Sequence, residues 1–148
     1  VKNNEMAHTV QFVKTRPDAV VPTRAHPSDI GYDLVAVSLW KKLSDQTEIY
    51  ETGIAVVPPP GTYVEILPRS SVTKTGYMLA NSVGVIDPHY TGSLKIAVRK
   101  VDDQLPGLEP PFCRFQMVLR QALPFEVSEI PEIPDTDRGD GAFGSTDK

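Results

Sequence analysis

The sequence contains a single cysteine, Cys113, so no disulfide can form within the chain. One cysteine and three scattered histidines, His8, His26 and His89, do not have the spacing of a structural zinc site. Long apolar runs are missing too. None approaches the about 20 residues that a membrane-spanning helix needs, and the opening VKNNEMAHTV lacks the basic-then-apolar order of a secretory leader. Nor is there an excess of positive charge. Lys and Arg number 15 against 19 Asp and Glu, a net charge of −4. Neither nucleic acid nor membrane is therefore expected as a partner, and any anion must be held locally by backbone and a few arginines. The expectation is an intracellular soluble protein of cytoplasm or nucleus.

Punctuation is abundant. Fourteen prolines and ten glycines interrupt 148 residues. They separate short runs rich in β-branched residues, which argues against a helical bundle and for an all-β barrel or sandwich. The length suits one domain with a sizeable core. Strands are predicted at 8–14, 31–38, 48–57 with a bend at Gly53, 62–67, 79–86, 93–101, 112–122 and 125–130. In the sixth of these, Leu94, Ile96 and Val98 alternate with Lys95 and Arg99, the period of a half-buried strand. Pro58 to Gly61 and Asp87 to Gly92 read as turns. One short helix is expected at 70–75, capped by Ser70 or Ser71 and ended by Gly76. Pro131 and Pro134 lead into a glycine-rich arm.

Four stretches are polar in a way that a core does not require. In Gly31-Tyr32-Asp33-Leu34 a carboxylate sits among apolar residues, which costs free energy unless it is paired; the plain alternative is a hydrogen-bonding Asp at a strand end. Pro68-Arg69-Ser70-Ser71 sets a guanidinium beside hydroxyls at a helix start, either an anion site or a simple cap with a surface arginine. Residues 81–90 run from Asn81 through an apolar strand to Asp87, His89 and Tyr90. They can offer backbone groups to a planar base with a carboxylate nearby, or be an ordinary turn opened by Asp with a solvated His89. The closing RGDGAFGSTDK spaces Gly139 and Gly144 like a P-loop, but Ser145 stands where the lysine is required. Its Arg-Gly-Asp is too short a match to support an adhesive role. Taken alone, such a stretch is a frayed terminus.

In this order, the stretches resemble the five motifs of the trimeric dUTPase family: GYDL, PRSS, GVIDPHYTG, FCRFQMV and RGDGAFGST. The resemblance implies an all-β, jelly-roll-like barrel over residues 1–134 with one short helix, and a flexible arm over 135–148 that closes on the active site. It further implies a homotrimer whose three sites are shared between subunits, and Mg²⁺ as cofactor, held by substrate phosphates and waters rather than by protein ligands. The implied reaction is hydrolysis of dUTP to dUMP and pyrophosphate, which limits uracil incorporation into DNA and supplies dUMP for dTMP synthesis.

By the same resemblance Asp87 is the general base that orients the attacking water. Tyr90 packs under the deoxyribose and excludes a 2′-hydroxyl. Asn81 and the backbone around Gly84, Val85, Ile86 and Lys95 read uracil. Arg69, Ser70 and the Ser71 amide hold phosphates, Gln116 contacts a phosphate, and Asp33 supports Arg69 or the metal's waters. Phe143 stacks on the base, while Arg138, Gly144, Ser145 and Thr146 close over the phosphates. Ser71, His89, Cys113, Ala142 and Asp147 depart from the family pattern, which implies altered kinetics rather than loss of activity. Two other readings stay open: a catalytically weak nucleotide-sensing or protein-binding module on the same fold, and a deaminase acting on dCTP.

Overall fold

The computed structural model describes residues 8–144. Its strands are β1 (Gln11–Lys14), β2 (Tyr32–Ala36), β3 (Ser38–Lys42), β4 (Thr47–Glu51), β5 (Ile54–Val57), β6 (Thr62–Pro68), β7 (Tyr77–Leu79), β8 (Gly84–Ile86), β9 (Lys95–Lys100) and β10 (Phe112–Gln121). Every pairing between them is antiparallel. One four-stranded sheet runs β2-β10-β6-β8, another β3-β4-β9-β7, and β1 pairs with β5. Strands distant in sequence are neighbours, as in a jelly roll. Among the described residues no helix is long and apolar enough to cross a membrane.

The core lies between the two larger sheets. Leu34, Val64, Ile66 and Phe115 come from one, and Tyr50, Leu79, Ile96 and Val98 from the other; all are buried, with Ile54 and Val56 of β5 in the same cluster. Each such side chain contributes about 1.5–3 kcal/mol of transfer free energy. Tyr50 and Phe112 meet edge to face across the two sheets, with ring centroids 4.9 Å apart. The expected alternation in β9 is present: Ile96 and Val98 are buried, whereas Arg99 is exposed.

Several expected strands are divided. Residues 48–57 form β4 and β5, which belong to different sheets. Gly53 lies between them at φ +70°, where an added Cβ would approach the Ala19 Cβ to 2.9 Å, so both conformation and space require glycine. Residues 79–86 likewise split. β7 pairs with β9 and β8 pairs with β6, and the chain changes sheet through a turn in which Ser82 has φ 63°. β3 was not predicted; it is an exposed edge strand without the apolar alternation that marks a core-facing one. The predicted helix is a five-residue 3₁₀ helix, Ser70–Lys74. Its N-cap is Arg69 and its C-cap Thr75, with no side-chain cap bond, so neither serine caps it and Gly76 does not end it.

No strand forms at 125–130. Phe125, Val127 and Ile130 are exposed there, with no ladder partner among the described residues. The last strand ends at Gln121, and 122–144 carry neither helix nor strand.

Candidate active site

β10 lies between β2 and β6, and its register sets Gln116 opposite both Asp33 and Leu67. That places Asp33 beside Arg69, which follows the end of β6. Arg69 Nε lies 3.1 Å from Asp33 Oδ1. Its Nη1 donates to the Cys113 carbonyl at 2.7 Å and approaches Cys113 Sγ at 3.4 Å. The Arg69 main-chain N–H donates to the Arg114 carbonyl at 2.9 Å. The guanidinium is thus fixed from behind, yet its side chain keeps 34% exposure. A pre-oriented arginine of this kind suits phosphate recognition. Burial pushes the Cys113 thiol up, against the pull of Arg69, so it stays protonated at neutral pH.

Gln116 is half-buried. Its Nε2 donates to the Pro68 carbonyl at 3.0 Å, one residue before Arg69. Its Oε1 lies where a Cβ on Gly31 would sit, only 2.1 Å away. The glycine of GYDL therefore makes room for Gln116, and Gln116 ties down the approach to Arg69. Gly31→Ala should lower stability by about 1–3 kcal/mol through overpacking. The denaturant midpoint reports this, and adding Gln116→Ala should recover part of the loss. A Gly31→Ala protein as stable as the parent contradicts the packing role.

Ser70 is exposed. Ser71 Oγ is buried without a hydrogen-bond partner among the described residues, an arrangement that costs free energy unless another group meets it.

A second group of the expected site residues surrounds β8. Gly84 is buried against Ile66, Ile86 is half-buried, and Asn81, Val85 and Asp87 are exposed. The Asp87 carbonyl accepts the Tyr90 N–H at 3.0 Å, closing a turn that presents the carboxylate and the ring together. Tyr90 is fixed at its other end, where its hydroxyl donates to the Ser93 carbonyl at 2.9 Å. Gly92 lies against the ring, so that a Cβ there would stand 2.5 Å from Tyr90 Oη.

Lys95 opens β9, in the other sheet, and β8 does not pair with it. The Lys95 side chain faces Glu51, at 3.7 Å, and donates to Ser93 Oγ at 3.2 Å. The Trp40 ring and Glu51, neither of them anticipated, surround it; only the sole tryptophan of the chain gave a signal.

The arm is open. Arg138 Nε donates to the Gly141 carbonyl at 3.0 Å, a bond within the arm. Phe143 is fully exposed at φ 49°, and Gly144 has φ 85°. Ser145 and Thr146 lie outside the described residues. Among the described residues no group of three His, Cys, Asp or Glu could hold a metal ion.

A jelly-roll-like protein that holds a guanidinium preoriented and partly exposed has the features of the class that recognises small phosphorylated ligands. A family model described as dUTPase matches residues 18–147. The chain is 33% identical over 134 residues to the deoxyuridine 5′-triphosphate nucleotidohydrolase of Clostridium novyi, covering 90% of this chain and 94% of that protein. It is 30% identical over 138 residues to the enzyme of the same name from a Picosynechococcus species, covering 93% and 97%. In three dimensions it matches the dUTPase of Staphylococcus bacteriophage 80alpha with dUPNHPP at a TM-score of 0.76 and 25% identity, over 93% of this chain and 97% of that one. The chain belongs to the dUTPase family.

Proposed function

We propose that this protein hydrolyses dUTP to dUMP and pyrophosphate, limiting uracil incorporation into DNA and supplying dUMP for dTMP synthesis. The observation that carries this reading is the Asp87–Tyr90 turn, closed by a main-chain bond and locked through Ser93, in a chain of the dUTPase family. Asp87 orients a water toward the α-phosphorus and takes its proton, while the bond from that phosphorus to the pyrophosphate oxygen breaks. Tyr90 packs beneath the deoxyribose, so a 2′-hydroxyl meets the ring. Asn81 and the backbone around Gly84, Val85, Ile86 and Lys95 read the uracil edge, whose order of acceptors and donor differs from that of cytosine. Arg69, with Ser70 and the Ser71 amide, holds the phosphates. Gln116, bonded to Pro68 one residue before Arg69, contacts a phosphate directly or through a water.

Mg²⁺ would be held by substrate phosphates and waters rather than by protein ligands, and would supply charge neutralisation at the triphosphate. A homotrimer completes the site. Asp87, Val85, Ser70 and Phe143 are all exposed in one chain, and contacts from neighbouring subunits would enclose the substrate and hold the triphosphate in line with the attacking water. The arm, residues 135–148, supplies Phe143 to the base and Arg138, Gly144, Ser145 and Thr146 to the phosphates of a neighbouring subunit.

The test is pyrophosphate release from dUTP with Mg²⁺, with UTP, dTTP and dCTP as controls. dUTP should be preferred over each by about 10²-fold or more. Absence of turnover at micromolar enzyme defeats the hydrolase and favours the sensing module. Ammonia release from dCTP points to the deaminase.

A further inference from the structure

The chain has one tryptophan, Trp40. Along the β3–β4 pair the register jumps between Leu39 and Lys41, so Trp40 is an extra, bulged residue. Such a bulge turns a side chain away from its regular direction. Here the ring is 53% exposed and lies under an ammonium from another strand. Lys95 Nζ is 4.9 Å from the ring centroid, with Lys41 Nζ at 5.9 Å. Both lie within cation–π range. Core packing does not require an exposed tryptophan on an edge strand with two lysines against its face.

What Lys95 does next gives the contact its meaning. Its ammonium is 3.7 Å from Glu51 Oε1 and donates to Ser93 Oγ at 3.2 Å. The Ser93 carbonyl accepts the Tyr90 hydroxyl at 2.9 Å. Between them Leu94 is fully buried; its N–H donates to the Ile54 carbonyl at 2.6 Å, and its carbonyl accepts the Thr52 hydroxyl at 2.7 Å. Leu94 therefore pins the main chain at one point, while Trp40, Lys95 and Glu51 hold the residue next to it. Glu51 is itself anchored, accepting the Gly53 N–H at 2.7 Å. The chain of contacts runs from an edge strand of one sheet to the tyrosine ring of the turn.

We propose that Trp40 is a positioning residue for sugar selectivity: by clamping Lys95 against Glu51 and Ser93 it fixes the carbonyl that holds Tyr90 in place. The inference rests on the reading that Tyr90 packs on the deoxyribose, and it adds a determinant on β3, distant in sequence from that turn. A looser Tyr90 ring yields to a 2′-hydroxyl, so loss of the clamp admits UTP before it slows dUTP.

The experiment compares kcat/KM for dUTP and UTP in the full-length enzyme and in Tyr90→Ala, Trp40→Leu, Trp40→Phe and Ser93→Ala. Trp40→Leu should raise the UTP-to-dUTP ratio by about threefold to fivefold, the range of a partly exposed cation–π contact, with kcat for dUTP changed by less than about twofold. Trp40→Phe keeps an aromatic face and should restore most of the selectivity. Ser93→Ala cuts the same link at its other end and should reproduce the shift, which keeps the test sound where Trp40→Leu folds poorly. A selectivity change in Tyr90→Ala, with none in Trp40→Leu or Ser93→Ala, overturns the inference and leaves the role of Tyr90 standing. No change in Tyr90→Ala removes the reading beneath it, and the inference falls with it. An equal loss of kcat for both nucleotides in Trp40→Leu, without a change of ratio, shows a structural role and also overturns it.

Discussion

Asp87→Asn should lower kcat for dUTP by about 10²–10⁴-fold, the range for removal of a positioned general base. Affinity for a non-hydrolysable dUTP analogue should change by only a few-fold. Asparagine has nearly the same shape but cannot accept the proton of the attacking water. The substitution also spares the local fold, because the contact that closes the turn, from the Tyr90 N–H to the Asp87 carbonyl, is made by main chain. Asp87 is exposed, so no packing is lost. Single-turnover kinetics with dUTP and calorimetry with the analogue separate the two quantities. Binding lost in parallel with turnover shows that Asp87 mainly organises the site; turnover retained removes it as the base.

The polar stretches and their order were legible because each stands out against an apolar, β-branched background. Asp33 is the clearest example. A carboxylate in an apolar strand needs a partner, and Arg69 is that partner at 3.1 Å. What sequence patterning did not yield is where the chain changes sheet. Residues 48–57 and 79–86 read as single strands because strand-forming residues such as Ile49, Tyr50 and Val56, or Leu79, Val85 and Ile86, stand on both sides of each break; the glycine at 53 marked a bend but not a change of sheet, and the positive φ at Ser82 left no mark. Position 31 shows the same limit. A glycine there could serve a turn or a bulge, and only the register of β2 against β10 puts the Gln116 side chain in the space it leaves. The serine caps failed for a local reason. Arg69, extended at φ −82° and ψ 157°, takes the N-cap position, and the Ser71 hydroxyl stays buried without a partner. Residues 125–130 have strand composition but no partner strand among the described residues, so composition could not decide their state.

Deletion of residues 135–148 should leave the fold and the proposed trimer intact while kcat/KM for dUTP falls by about 10²–10³-fold, the scale of losing several transition-state contacts and the cover over them. Stability is spared for a structural reason. Among the described residues the side chain of Arg138 bonds to the Gly141 carbonyl and the Gly139 N–H to Thr136, both within the arm, while Phe143 buries nothing. The thermal midpoint should therefore move by no more than a surface substitution would move it, equivalent to about 0.5 kcal/mol. Sedimentation reads the oligomer and pyrophosphate release the activity. A deletion that dissociates the protein assigns the arm to assembly; one that leaves kcat/KM unchanged takes it out of catalysis. Mixing decides whose site it covers. Subunits lacking the arm keep Asp87, and Asp87→Asn subunits keep the arm, so each parent is nearly inactive alone. If the arm serves a neighbour, refolded mixtures contain sites with one subunit's Asp87 beneath another's Phe143, and activity should exceed the sum of the parents. Activity no greater than that sum confines the arm to its own subunit, and the shared-site reading fails.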